Sequence, residues 1–109
     1  MNAMNAIQEF YLNSGEIFDV IVGDKWPFSV ARAYYGSGAT LTSPSQSVVR
    51  VSDGEDVTSA FWVSGSAAVG ADAVVWSAFT MAAAGEYEFH LSVLVNGNKR
   101  TDVLRVKVT

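Results

Sequence analysis

A chain of 109 residues, 50% hydrophobic and 17% charged, has the size and composition of one folded domain and not of a disordered segment. It contains no cysteine, which removes disulfides, thiol nucleophiles and zinc–thiolate sites. Its formal net charge of -4 argues against nucleic-acid partners, which require clustered Lys and Arg.

Met1-Asn2-Ala3 is repeated as Met4-Asn5-Ala6, and no basic stretch leads into an apolar core there, so no signal peptide is read. Residues 1–15 are taken as an N-terminal extension, partly disordered, and 16–109 as a single β-sandwich domain. A short apolar run at 17–22, interrupted by Asp19, is followed by the turn residues Gly23-Asp24. Trp26-Pro27 suits a strand start or an edge. Phe28, Val30, Arg32 and Tyr34 then alternate with Ser29, Ala31, Ala33 and Tyr35, the period of a strand. Gly36-Ser37-Gly38 and Ser43-Pro44-Ser45 bound a weak strand at 39–42, and a further short strand at 48–52 ends at Asp53-Gly54. Residues 59–64 read as a strand with Phe61 and Val63 on one side and Ala60 and Trp62 on the other.

Between Asp56 and Glu86 the only charge is Asp72. A membrane helix is rejected here, because Asp72 would lie near the bilayer centre and Ser64, Gly65, Ser66 and Gly70 dilute the apolar character. Residues 72–84 admit two readings. As a strand, Val75, Ser77, Phe79 and Met81 share a face. As a helix, Val75, Phe79 and Ala83 do, with Asp72 as cap and Gly85 as stop. The strand is favoured by the short strands around it. From Gly85 the pattern is plain: Tyr87, Phe89, Leu91, Val93 and Val95 on one face, Glu86, Glu88, His90 and Ser92 on the other. Asn96-Gly97-Asn98 turns the chain into a last strand, with Asp102, Leu104, Val106 and Val108 alternating with Val103, Arg105 and Lys107, a β-hairpin. Arg105 and Lys107 fall on the wet face of that strand. Many short strands with regular turn signals define the expected fold: an all-β, immunoglobulin-like antiparallel β-sandwich of about seven strands.

Little in the chain can do chemistry. The one histidine, His90, lies on the outward face of its strand beside Glu88, and no Gly-x-Ser-x-Gly elbow accompanies it. Asp53-Gly54-Glu55-Asp56 gathers three carboxylates, but its spacing is that of a turn and not of a calcium loop. Gly36-Ser37-Gly38 lacks the context of a phosphate cradle. No catalytic, metal-binding or cofactor residue is assigned, and no cofactor is expected. Trp62 and Trp76 are read as core. Trp26, Tyr34 and Tyr35 are the candidate interface residues, with one of the two adjacent tyrosines expected to face solvent.

The order of these features resembles a known family. Gly23-Asp24 before Phe28-Ser29-Val30, then Gly38-Ala39-Thr40-Leu41, then Asp56-Val57-Thr58-Ser59-Ala60, the apolar strand through Val75 and Phe79, Ala84-Gly85-Glu86-Tyr87 and the closing hairpin are similar to small β-sandwich proteins of tailed bacteriophages and prophages. The likeness spans roughly residues 16–109, and Gly85 with Tyr87 resembles a tyrosine corner. The last turn, Gly97-Asn98-Lys99-Arg100-Thr101-Asp102, is close to but not identical with the Gly-Arg-Thr-like segment common in that family. The resemblance implies a non-catalytic, immunoglobulin-like module that decorates or joins parts of the head, neck or tail. Its partners would be other virion or surface proteins, or further copies of itself, with neither nucleic acid nor membrane. Its location would be the virion, or the bacterial cytoplasm before assembly. The alternative is a carbohydrate-binding or cell-surface adhesion module built on Trp26, Tyr34, Tyr35 and the carboxylates of 53–56.

Overall fold

In the computed structural model, residues 11–36, 38–62 and 67–109 are described, with the backbone alone at 77 and 78. They run in the order β1 (Ile17–Val20), β2 (Lys25–Ala31), α1 (Arg32–Tyr35), β3 (Leu41–Arg50), α2 (Thr58–Phe61), β4 (Ala67–Val69), β5 (Ala73–Thr80), β6 (Gly85–Val95) and β7 (Asn98–Val108). Four strands form one sheet in the order β1-β7-β6-β3, and three form the other in the order β2-β5-β4. Every pairing is antiparallel except that of β1 with β7, which is parallel. The chain is therefore an all-β sandwich.

The hairpin of β6 and β7 follows the sequence pattern closely. Tyr87, Phe89, Leu91 and Val93 face inward and are buried, as are Leu104, Val106 and Val108 opposite them. Val95 pairs with Asn98, so the loop is the two residues Asn96 and Gly97, at φ of 51° and 84°. Positive φ at both positions is what a type I′ turn needs, and its twist matches that of the strands it joins. Across the core, Phe89 meets Phe28 at 5.7 Å and Phe79 at 4.7 Å between ring centres, locking the two sheets together. The Tyr87 hydroxyl donates to the carbonyls of Ala83 and Ala84 at 3.1 and 3.2 Å, tying the connection between the sheets to the start of β6. Gly85 sits between them at φ 144°, where a Cβ would lie 3.2 Å from that hydroxyl oxygen.

Elsewhere the structure corrects the expectation. The strand from Phe28 stops at Ala31, and Arg32–Tyr35 form a helical turn. Arg32 ends the strand: its guanidinium donates to the carbonyls of Gly70 and Ala39, both at 3.1 Å, and its own N–H to Asp72. The two short strands at 39–42 and 48–52 are one strand, β3, with a bulge. Thr42 pairs with Leu94 and Ser45 with Ser92, so Ser43 and Pro44 oppose a single residue, with Ser43 at φ 52°. The strand expected at 59–64 begins as α2. The Asp56 carboxylate accepts from the Thr58 N–H at 2.9 Å and its hydroxyl at 2.6 Å, a local turn that starts a helix. Phe61 still faces the core; Val63 and Ser64 lie outside the described residues.

Residues 72–84 form a strand, as favoured, but not with one continuous inner face. Val74 and Trp76 are buried, and so are Phe79 and Met81. Phe28 pairs with Trp76 and Trp26 with Phe79, so β5 takes three steps where β2 takes two, and the inward parity changes. Residues 11–15, read as extension, belong to the packed unit, since Leu12 is buried in the same core. Residues 1–10 lie outside the described part.

Candidate interaction site

The residues singled out from the sequence do not form one site. Trp26 is near the start of β2, while Tyr34 and Tyr35 follow its end, so the seven-residue strand separates them by roughly 15 Å or more at 3.3 Å per residue. Trp26 is half-buried, its ring edge-on to Phe18 at 5.2 Å. Neither tyrosine is exposed, contrary to expectation: Tyr35 is buried and Tyr34 half-buried, because α1 replaces the alternation of a strand and tucks both rings under Arg100. The Arg100 guanidinium lies 4.8 Å from the centre of the Tyr34 ring and 5.5 Å from that of Tyr35, a cation–π stack.

Beneath this stack is a buried carboxylate. Asp102 stands on the inner face of β7 and is 2% exposed. Its Oδ1 accepts from Asn13 Nδ2 at 2.6 Å and from the Tyr34 hydroxyl at 3.3 Å, and the Arg100 guanidinium stands 3.4 Å away. Asn13 also bonds the backbone of Val103 in both directions, at 2.7 and 2.8 Å. Three segments distant in sequence are thus pinned to one carboxyl group. Burial, and then the Asp102 charge, hold the Tyr34 phenol above its ordinary value of 10.0. Burial works against the charge of Arg100, but Asp102 and Tyr34 outweigh it and raise its affinity for the proton. This cluster is structural, and the sequence signalled only one member: a charge at an inward position of β7.

Tyr34 gives an alkaline prediction. Because folding raises its proton affinity, its contribution to stability is intact below about pH 10 and is lost as pH rises through the raised native value. An absorbance titration should lose a late-ionising component in Tyr34→Phe.

At the opposite end of the sandwich a few apolar side chains are exposed. Ile21 is 63% exposed and Val22 44%, in the turn between β1 and β2, and Val51 after β3 is exposed as well. The turn is held to the loop after β5 by Gly23 N–H to Met81 O and Met81 N–H to Asp24 O, both 2.8 Å. At the same end opens a cleft of about 520 Å³ lined by Val51, Ala84, Gly85 and Val108 together with the polar Arg50, Ser52, Glu86 and Lys107. Sequence reading missed this surface because it scored these residues only as strand formers.

The acidic turn is internally committed. Arg50 forks onto Asp53, Nε to Oδ1 at 3.1 Å and a terminal nitrogen to Oδ2 at 2.8 Å, and also binds Glu55. The Arg50 hydrogen bond, then the Glu55 N–H, hold Asp53 below its ordinary value of 3.8, and Thr58 does the same for Asp56. Folding therefore favours the ionised carboxylates. Their contribution is present above about pH 3.8 and is lost as pH falls through the lowered native values. Melts between about pH 2 and 5 should show this slope, reduced in Arg50→Gln.

His90 is half-buried, with Nε2 3.2 Å from Glu88 Oε1. Among the described residues no group of three or more His, Asp or Glu could hold a metal ion, and no helix is long and apolar enough to cross a membrane. Comparisons with family models, with curated proteins and with solved structures found no match for this chain.

Proposed function

We propose that this chain is a non-catalytic interaction module of the immunoglobulin-like type, acting by protein–protein contact as a structural component of a tailed phage or prophage virion. The observation that carries the contact role is the adjacent pair of exposed apolar side chains Ile21 and Val22 in the β1–β2 turn, at the same end of the sandwich as an open cleft. Adjacent exposed apolar side chains favour burial against another protein surface. The immunoglobulin-like type is supported by the sheet orders and by the Tyr87 hydroxyl bonded to the carbonyls three and four residues before it, the form of a tyrosine corner. The virion setting rests on the resemblance of residues 16–109 to small phage β-sandwich proteins, and it implies the virion, or the cytoplasm before assembly, as location. The adhesion alternative draws less support, because Trp26, Tyr34 and Tyr35 form no shared platform and the carboxylates at 53 and 55 are occupied by Arg50.

The test is mass in solution by light scattering over a range of concentrations, for the wild type and for Ile21→Asp with Val22→Asp. The reading expects a mass that rises to a defined oligomer in the wild type and not in the variant. A constant monomer mass for the wild type, with no binding to virion neck or tail proteins, overturns it.

A further inference from the structure

The segment 11–20 is attached differently from the rest of the sandwich. β1 is an edge strand, hydrogen-bonded on one side to β7 in the parallel register Ile17↔Arg105 to Val20↔Val108. The segment places Leu12, Phe18 and Val20 in the core, and Asn13, ahead of β1, fastens it through three hydrogen bonds to Asp102 and Val103. Its link to β2 in the opposite sheet is the four-residue turn 21–24, with Gly23 at φ 92°.

We propose that this segment exchanges between two copies of the chain, each lending residues 11–20 to the β7 edge of the other. The occupant follows from the structure: the β7 edge already holds this strand in register, and the identical strand of a second copy makes the same contacts. A second observation points to the same place. The two most exposed large apolar side chains among the described residues, Ile21 and Val22, lie on the hinge itself. When two chains exchange strands about a twofold axis, their extended hinges cross side by side, and these residues become mutually covered. Closed monomer and exchanged dimer share the contacts of β1, so the hinge decides which is favoured, and the Asn13 latch governs how fast the strand is released.

Exchange gives a mechanism to the self-association in the proposed function, and rests on that reading only in taking another copy as partner. The test exploits the absence of cysteine. Asp19 and Lys107 are register partners on β1 and β7. Asp19→Cys and Lys107→Cys are made as separate chains, mixed at high concentration and then oxidised. The double variant in one chain is the control that the pair can cross-link. Exchange predicts a disulfide heterodimer well above either homodimer, appearing several-fold faster when Asn13→Ala is added. Deleting Val22 and Gly23, which shortens the hinge, should convert a folded monomer to dimer by light scattering. A double variant that cross-links internally while the mixture gives no excess heterodimer overturns the proposal, as does a folded, monomeric hinge deletion. An oligomer without the heterodimer sinks exchange and leaves the assembly reading standing; a heterodimer from a chain that binds no virion neck or tail protein upholds exchange and counts against the virion setting.

Discussion

Phe89→Ala is expected to destabilise the folded chain by about 3–5 kcal/mol, the range for truncating a fully buried phenylalanine. Phe89 is fully buried at the middle of β6 and meets rings from three other elements: Phe28 on β2, Phe61 on α2 and Phe79 on β5. The cavity cannot be filled by one neighbour without drawing the sheets from their registers. A domain of this size has only about 5–15 kcal/mol in total, so the variant should be marginal at room temperature. Urea unfolding is the measurement, with the midpoint falling and the slope unchanged. A cost below about 1.5 kcal/mol would show that the core re-packs around the loss.

The second large effect is asymmetric. Arg100→Ala should cost about 3 kcal/mol, because it leaves the Asp102 carboxylate buried without its cation. That figure is the low end for a broken buried pair, since the Arg100 side chain is 41% exposed while that of Asp102 is 2%. Asp102→Leu should cost less. It removes the charge that needed solvation, and the donors it orphans, on exposed Asn13 and half-buried Tyr34, can turn to water. Paired denaturation curves decide it. If Asp102→Leu costs more than Arg100→Ala, the pair stabilises the fold in its own right and does not merely avoid an uncompensated charge.

What could be read in the residues depended on whether local and distant forces agreed. In β6 and β7 they did. An uninterrupted alternation met an Asn-Gly turn whose conformation suits the strand twist, and both strands and their inner face were legible. In β5 the strand was legible and its face was not. The step between Trp76 and Phe79 is set by pairing with β2, which no window of ten residues contains. Thr58 and Arg32 carried still less local signal. A side-chain oxygen from Asp56 started a helix where hydrophobic periodicity proposed a strand. Carbonyls at Ala39 and Gly70 captured a guanidinium that alternation had assigned to a face. The expectation that one of the adjacent tyrosines faces solvent failed because distant contacts decided it. Tyr34 and Tyr35 were judged by strand parity, and their partner Arg100 is held in place by a carboxylate that also binds Asn13, far away in sequence.

The parallel pairing of β1 with β7 also has a kinetic side. The backbone of Thr109 bonds Val20 across 89 residues, so the first strand has no partner until the last has formed. Closing so long a loop is slow, and the sandwich belongs among the high-contact-order topologies that fold in milliseconds to seconds. On the ribosome, the emerging chain must hold its apolar strands without the strand that seals them. Completion of the fold therefore waits until β7 has been made, and crowded synthesis of many copies is the moment at which a neighbour's strand can arrive first.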